Sequence, residues 1–206
     1  LKKGLEKLTV ADLEELEKQI KEFLGKINKS LKESIDLCTF RPFDIKYVTF
    51  SKEINDRPRP ELIQHVLRKR NISLLLIRQM QDNVVYSHVL VSTLPAIDRV
   101  FSCSRGAASV FPLYLYPSSD DMFQTERKPN FTKEFLDLFS NFSLPTSNFE
   151  LSIFRYIYAV FHSPTYRERY AEFLKIDFPR VPISKTKELF QELSSLGNDL
   201  IALHLL

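Results

Sequence analysis

The sequence predicts an α/β (α+β) protein with a long N-terminal helix, a central mixed β-sheet and a C-terminal helical bundle. Three observations predict it. Apolar residues recur at three- and four-residue steps up to residue 31, β-branched and aromatic runs broken by prolines and polar turns fill the middle, and helix-capping residues precede the apolar stretches from residue 132 onward. The composition agrees: 44% hydrophobic and 27% charged residues with only four Gly describe an ordinary globular chain, and 17 Phe beside eight Tyr and no Trp point to an aromatic-rich interior. At 206 residues the chain can bury a core as one large domain, or as one domain with a helical extension.

Taken in order, Thr9 caps a helix whose stripe is Leu13, Leu16, Ile20, Phe23, Ile27 and Leu31. Its other face carries Glu14 with Lys18, Glu17 with Lys21 and Glu22 with Lys26, each pair worth about 0.2–0.5 kcal/mol. Two readings of this helix stand side by side: an exposed-sided arm or spacer, or a helix packed on its own domain. Arg41-Pro42-Phe43-Asp44 then forms a turn, and residues 45–50 read as a strand. Pro58 and Pro60 make residues 55–60 a loop, with Pro60 suited to the first position of a helix over 60–70. Ile63, Val66 and Leu67 point inward on that helix, and Arg68-Lys69-Arg70 ends it, where cations favour the macrodipole.

Residues 72–78 and 84–92 are β-prone and joined by the amide-rich Gln79-Met80-Gln81-Asp82-Asn83, so they form a hairpin or adjacent strands. A third apolar segment, 100–103, leads through Ser104-Arg105-Gly106 to a strand over 110–116, with Pro112 near an edge. Residues 118–130 are a polar loop. Thr132 caps a short helix, Ser147 with Glu150 forms the capping box of another ending at His162, Ser163-Pro164 opens the next, and Ser184 caps the last. That final helix runs through Leu189, Phe190, Leu193, Leu196, Leu200, Ile201 and Leu203. Three segments result: a spacer helix over 1–36, a sheet-containing recognition region over 37–130 and a helical region over 131–206, the last two forming one domain.

Several function classes are disfavoured. No apolar stretch approaches the roughly 20 residues needed to span a bilayer and no signal peptide is evident, so a cytoplasmic protein without membrane contact is expected. Cys38 and Cys103 belong to no CxxC unit, and His65, His88, His162 and His204 form no metal-ligating pair, so neither a metal nor a disulfide is expected. There is no phosphate-cradling Gly-rich loop, no G-x-S-x-G elbow and no Walker motif. Asp120-Asp121 read as solvated. The expectation is therefore a chain without catalytic residues or a cofactor of its own. It begins at Leu1, not methionine, which points to a piece of a larger protein.

Charge is distributed unevenly. Residues 1–40 carry eight Lys against eight acids, whereas residues 41–105 carry eleven Lys or Arg against six acids. Eight of those eleven are Arg, whose planar fork suits phosphate and the guanine edge, although a merely solvated surface accounts for them equally well. Reading DNA needs donors and acceptors on loops held by a rigid sheet, with flanking cations for phosphates. Arg78, Gln79, Gln81, Asp82 and Asn83 supply one such loop, and Asp98, Arg99, Ser104 and Arg105 a second. Arg41, Lys46, Arg57, Arg59, Arg68, Lys69 and Arg70 are the phosphate candidates. Each also has an ordinary reading as a structural or exposed side chain.

Residues 156–182 run as a helix, the Ser163-Pro164 break, an aromatic-basic helix and a Phe178-Pro179-Arg180-Val181-Pro182 exit. Arg41-Pro42-Phe43-Asp44 with Tyr47, Asp56-Arg57-Pro58-Arg59, Phe111-Pro112-Leu113-Tyr114-Leu115-Tyr116 and the ending Leu196-Gly197-Asn198-Asp199-Leu200-Ile201 accompany it. In this order the set resembles the C-terminal specificity region of single-chain restriction-modification enzymes of the type ISP and type IIG group, which carry an adenine-N6 DNA methyltransferase. The resemblance covers residues 41–206. It implies a target-recognition domain for double-stranded DNA, an upstream methyltransferase domain in cis, and S-adenosylmethionine and Mg used by other parts of the parent enzyme. In such proteins the region continues past the Leu-His-Leu-Leu ending into a Trp-containing segment. The competing reading is a protein-interaction or structural domain that docks a partner without touching DNA.

Overall fold

The computed structural model describes residues 10–51, 59–79, 85–101, 107–118, 126–142 and 148–205. The chain divides into two compact units, residues 1–36 with 47–58 and residues 37–46 with 59–206.

The first unit is built on α1 (Val10–Ser34). The predicted stripe forms, but Leu13, Leu16, Ile20, Phe23, Leu24 and Ile27 are all exposed. Glu17 and Lys21 close their four-residue pair at 2.6 Å. At the helix end the Ser34 carbonyl accepts from the Phe50 N–H at 2.8 Å, and the Ser34 and Thr49 hydroxyls bond at 2.8 Å. Thr9, the expected cap, lies outside the described residues.

The strands β1 (Ile35–Arg41) and β2 (Asp44–Thr49) pair as a two-stranded ribbon turning at Pro42 and Phe43, and each has residues in both units. The turn was expected; β1 was not. Helix-like charge persists to Asp36 and masks the strand, whose buried members are only Cys38 and Thr39. Thr39 ties the ribbon tip to the larger unit, donating its N–H to the Pro95 carbonyl at 2.8 Å and sharing a 2.6 Å hydroxyl bond with Ser92.

The larger unit centres on an antiparallel sheet of order β4-β3-β5, with β3 (Ser73–Leu76) between β4 (Val89–Ser92) and the edge strand β5 (Ser109–Pro112). Both β3 and β4 are fully buried. Alternation sends Leu74, Leu76, Val89 and Val91 into a core shared with the helices, and Leu75 and Leu90 into a second cluster with Val100 and Ala108 on the other face. Pro112 does occupy an edge strand, where its missing N–H costs no ladder bond. A smaller ribbon joins β6 (Tyr114–Leu115) to β7 (Lys128–Pro129).

The expected 60–70 helix is shorter: α2 covers Pro60–Ile63, with Pro60 at its first position, and turns follow. Two observations explain the break. Arg68 adopts a left-handed φ of 55°, and the Asn71 side-chain amide takes the His65 carbonyl at 2.8 Å. Arg68-Lys69-Arg70 therefore sits in a turn, not on a helix terminus. β4 also starts later than the expected 84–92 strand, because β3 offers it no pairing residue beyond Leu76.

The helices are α3 (Lys133–Asp137), α4 (Phe149–His162), α5 (Pro164–Arg169), α6 (Ala171–Ile176) and α7 (Lys187–His204). Thr132 and Ser163 cap as predicted, their hydroxyls accepting from the Phe135 N–H at 3.2 Å and the Tyr166 N–H at 3.4 Å. Ser147 lies outside the described residues, and Asn148 precedes α4. The last cap is Thr186, not Ser184: Thr186 accepts from the Leu189 N–H, while Ser184 donates to the Thr186 carbonyl. Leu189, Leu196 and Leu203 of α7 are exposed, because α7 meets α4 through Phe190, Ser194, Gly197 and Ile201. A Cβ on Gly197 would stand 2.0 Å from the Arg155 carbonyl oxygen, so only glycine permits this approach.

Candidate nucleic-acid interface

Strand register decides which polar segments meet. Leu76 pairs with Val89 on one side and Ser109 on the other, so the chain leaving β3 at Ile77 and the chains entering β4 at His88 and β5 at Ala108 meet at this end of the sheet. These connections carry most of the predicted base-reading residues. Gln81, Asp82, Asn83, Ser104 and Arg105 lie outside the described residues; Arg78 and Gln79 are described and exposed. Arg78 Nε lies 2.9 Å from Asp177 Oδ1, and Gln79 Nε2 lies 3.4 Å from the Ile176 carbonyl. The Phe178 backbone N–H and the Arg78 guanidinium hold the Asp177 carboxyl below the usual carboxylate range.

Asp98 and Arg99 belong to the segment crossing the Leu75 face, and the Asp98 carbonyl accepts from the Ala108 N–H at 2.7 Å. Arg41 joins them, donating from Nη1 to the Arg99 carbonyl at 3.0 Å and to the Phe40 carbonyl at 2.8 Å. Its guanidinium lies 4.4 Å from the Phe40 ring centroid, and Lys46 Nζ lies 4.5 Å from it while pairing with Asp44 at 3.5 Å. Arg57 lies outside the described residues.

The remaining phosphate candidates lie towards the opposite end of β3, where Ser73 pairs with Ser92 and Pro112. About 10 Å of strand separates the two ends, three residues at roughly 3.3 Å each. Asn71 pins this end. Buried, it donates to the His65 and Tyr114 carbonyls at 2.8 and 2.7 Å and accepts from the Ile72 and Tyr114 N–H groups, using its full bonding capacity. Lys69 and Arg70 are exposed beside it, and Arg59, also exposed, lines a shallow cleft with Glu61, His65, Leu115 and Asn130. One cation absent from the sequence-based candidates, Arg127, joins this group. Arg127 lies 4.0 Å from the Tyr114 ring centroid and donates to the Arg70 carbonyl at 2.7 Å and to the Tyr116 hydroxyl at 3.2 Å. No local spacing announces this contact, because Arg70 and Arg127 stand 57 residues apart.

The 156–182 run is structural. Tyr156 and Tyr166 hydroxyls donate to the Pro182 and Arg180 carbonyls at 2.7 Å, bracing the proline-limited exit against the helices. Arg167 is half-buried, donating to the Phe161 carbonyl at 2.7 Å and lying 3.1 Å from His162 Nδ1. Lys175 pairs with Glu172, and Arg180 lies over Phe173. Burial, then the Arg167 and His204 charges, push His162 down to about 4, so its ring is neutral near pH 7. Burial pushes the Cys38 thiol up to about 11. Among the described residues no group of three or more His, Cys, Asp and Glu could hold a metal ion, and no helix is long and apolar enough to cross a membrane.

A family model, the Type ISP C-terminal specificity domain, matches residues 7–206. No curated protein matches the chain. Among solved structures, the chain is similar to part of the DrdV–DNA complex seen by cryo-electron microscopy, with 29% identity, a TM-score of 0.67 and coverage of 84% of this chain and 16% of that one. It is similar to the ATP-dependent Type ISP restriction-modification enzyme LlaBIII bound to DNA, with 27% identity, a TM-score of 0.67 and coverage of 84% and 11%. A nuclease-deletion mutant of the Type ISP enzyme LlaGI in complex with a DNA substrate mimic matches at 26% identity and a TM-score of 0.59, with coverage of 84% and 11%. The chain thus spans between 11% and 16% of the length of these chains.

Proposed function

Because the chain belongs to the Type ISP C-terminal specificity domain family, we propose that it reads a short sequence in double-stranded DNA on behalf of a longer, cytoplasmic restriction-modification polypeptide. The observation that carries this reading is the register of β3. It sets the chain that follows β3, with Arg78 and Gln79, and the chain that enters β5 through Ala108 at one end of a buried sheet, near Asp98 and Arg99; Gln81, Asp82, Asn83, Ser104 and Arg105 are proposed as further readers from their places in the sequence alone. Gln or Asn suits the adenine edge and Arg the guanine edge, each bidentate contact discriminating by about 1–3 kcal/mol. Arg41, Lys46, Arg57, Arg59, Arg68, Lys69 and Arg70 fix the register on phosphates. The DNA complexes formed by similar proteins support the reading.

In this proposal the chain selects the site and the chemistry lies elsewhere in the polypeptide. A methyltransferase domain in cis uses S-adenosylmethionine to modify adenine N6, and Mg serves the cleaving and motor parts. The test exchanges residues 78–83 and 98–105 for those of a relative with different specificity, within the full-length enzyme. A changed methylation sequence is expected; an unchanged sequence in an active chimera would reject these residues as the readers.

A second role is favoured for the first unit. The exposed apolar stripe of α1 suits packing against another part of the longer polypeptide, not a base edge. Lys substitutions at Leu16 and Ile20 then weaken assembly of the full enzyme without changing the sequence methylated, which limited proteolysis and methylation mapping would read.

A further inference from the structure

Several cations among the described residues lie beside a carboxylate: Lys21 beside Glu17, Lys46 beside Asp44, Arg78 beside Asp177 and the half-buried Lys175 beside Glu172. The group at the Ser73 end of the sheet is built differently. Lys69, Arg70 and Arg127 are exposed, and among the described residues none of them is ion-paired. Their positions are set by tyrosines and backbone. Arg127 rests on the Tyr114 ring at 4.0 Å and donates from Nη1 to the Arg70 carbonyl and the Tyr116 hydroxyl. The Tyr116 hydroxyl donates to the same Arg70 carbonyl at 2.8 Å, and Lys69 Nζ lies 5.2 Å from the Tyr116 ring centroid. Asn71 and the bond from the Tyr116 N–H to His65 Nδ1, at 3.0 Å, fix the two backbones that carry them.

This arrangement gathers like charges, and no carboxylate among the described residues is ion-paired with them. Holding Lys69 and Arg127 on two neighbouring rings beside Arg70 costs electrostatic repulsion that an anion would relieve. Both side-chain bonds of Arg127 use Nη1, so its Nε and Nη2 donors form an open fork, the geometry that takes two oxygens of one phosphate. The rings also reduce the rotamer freedom each cation loses on binding. Among the described residues, Glu126 is next in sequence and exposed, Glu61 lines the neighbouring cleft, and Glu150 adds to burial in raising Tyr114; none of them is ion-paired with the three cations.

Resting on the DNA-reading function, we propose that Lys69 and Arg127, seated on Tyr116 and Tyr114, form with the neighbouring Arg70 a clamp for the phosphate backbone of duplex DNA beside the sequence being read. The Ser73 end lies about 10 Å along β3 from the end joined by the candidate reading segments. The clamp therefore adds affinity without sequence information.

The test uses the full-length enzyme carrying this domain, titrated with cognate and scrambled duplexes across a range of NaCl concentrations. The double substitution Lys69→Gln with Arg127→Gln should weaken both duplexes by the same factor and lower the slope of log affinity against log salt by about 2, at roughly 0.9 per phosphate contact. The sequence methylated should stay the same. Lys128→Gln is the internal control: Lys128 is paired with Leu115 on β7, so it leaves the other face of the ribbon from Tyr114 and Tyr116, and the slope should not move. An unchanged slope in the double variant, or an equal fall in Lys128→Gln, would overturn the clamp while leaving the reading function intact. Loss confined to the cognate duplex would instead make these residues base readers. A wild-type enzyme that binds neither duplex would overturn both proposals.

Discussion

In the helical half of the larger unit, Phe139 meets Phe142, Tyr156 and Phe190 at ring separations of 5.7–6.2 Å, and all four residues are buried. At the Ser73 end of the sheet, Tyr114 and Tyr116 are half-exposed and hold cations in place of other rings. The same residue class thus builds a core in one region and a charged surface in the other. The difference lies in what stands next to each ring. Around Phe139 the neighbouring rings and helices leave no surface for solvent, whereas the β6–β7 ribbon faces the Arg68–Lys69–Arg70 turn. Substitution in the helical half should therefore cost stability, and substitution at the sheet ends should cost binding.

The largest effect tests the helical side. Gly197→Ala adds a Cβ 2.0 Å from the Arg155 carbonyl oxygen, which is backbone and cannot rotate away. Alanine is favoured over glycine inside a helix by about 1 kcal/mol. Forcing two packed helices apart costs more, so a net loss of about 3 kcal/mol is expected. Separation would also break the 3.0 Å bond from Ser194 Oγ to the Ser152 carbonyl. Urea denaturation measures this, and a variant as stable as the parent would show that the α4–α7 seam can yield.

Acid provides the second test. His162 sits against Arg167, His204 and Tyr158, with its ring 4.6 Å from that of Tyr158 and 5.3 Å from that of His204. Its folded value of about 4 lies below the ordinary 6.5, so the unfolded chain binds a proton that the folded chain refuses between these values. The stability from this neutral ring is complete above pH 6.5 and is lost as pH falls towards 4. Asp177, held below the usual carboxylate range, contributes in a lower window, losing its share only as pH falls below about 3.8. The thermal midpoint should thus drop between pH 6.5 and 5, and a His162→Gln variant should show a flatter profile there. A parent protein with no change over this interval would remove the buried histidine from the comparison.

The two regions also differed in how far their sequence revealed them. Caps are local, so Thr132 and Ser163 could be read directly, and so could the Pro42-Phe43 turn and the edge position of Pro112. α2 was overextended because the Asn71 amide, six residues on, takes the His65 carbonyl a continued helix would have used. β1 escaped notice because the charge pattern of α1 continues into it. The Leu76 end of the sheet was legible as chemistry but not as geometry: amides and arginines stood out, while the meeting of the chain after β3 with the chain entering β5 depends on those strands pairing across more than thirty residues. The Arg127–Tyr114 contact had no signal at all, since a cation on a ring is a tertiary event between ordinary residues.

The smallest stability effect, and the sharpest separation of the two regions, belongs to Arg78. Its ion pair with Asp177 is exposed on both sides, with side chains 65% and 41% accessible, so solvent screens most of the attraction. Arg78→Ala should leave the unfolding midpoint unchanged within error, in contrast to Gly197→Ala. Its effect should appear in the bases selected. A pair this open can be traded for a guanine edge, because Asp177 keeps the Phe178 backbone N–H as a partner when the guanidinium leaves. Asp177→Asn separates the two roles of Arg78: it weakens the hold on Arg78 while preserving the arginine itself. If Arg78 reads a base, Asp177→Asn should keep the methylated sequence and Arg78→Ala should relax it at one position. If Arg78 serves only the ion pair, both variants should behave alike, and the reading end of the sheet would then have to begin beyond Arg78.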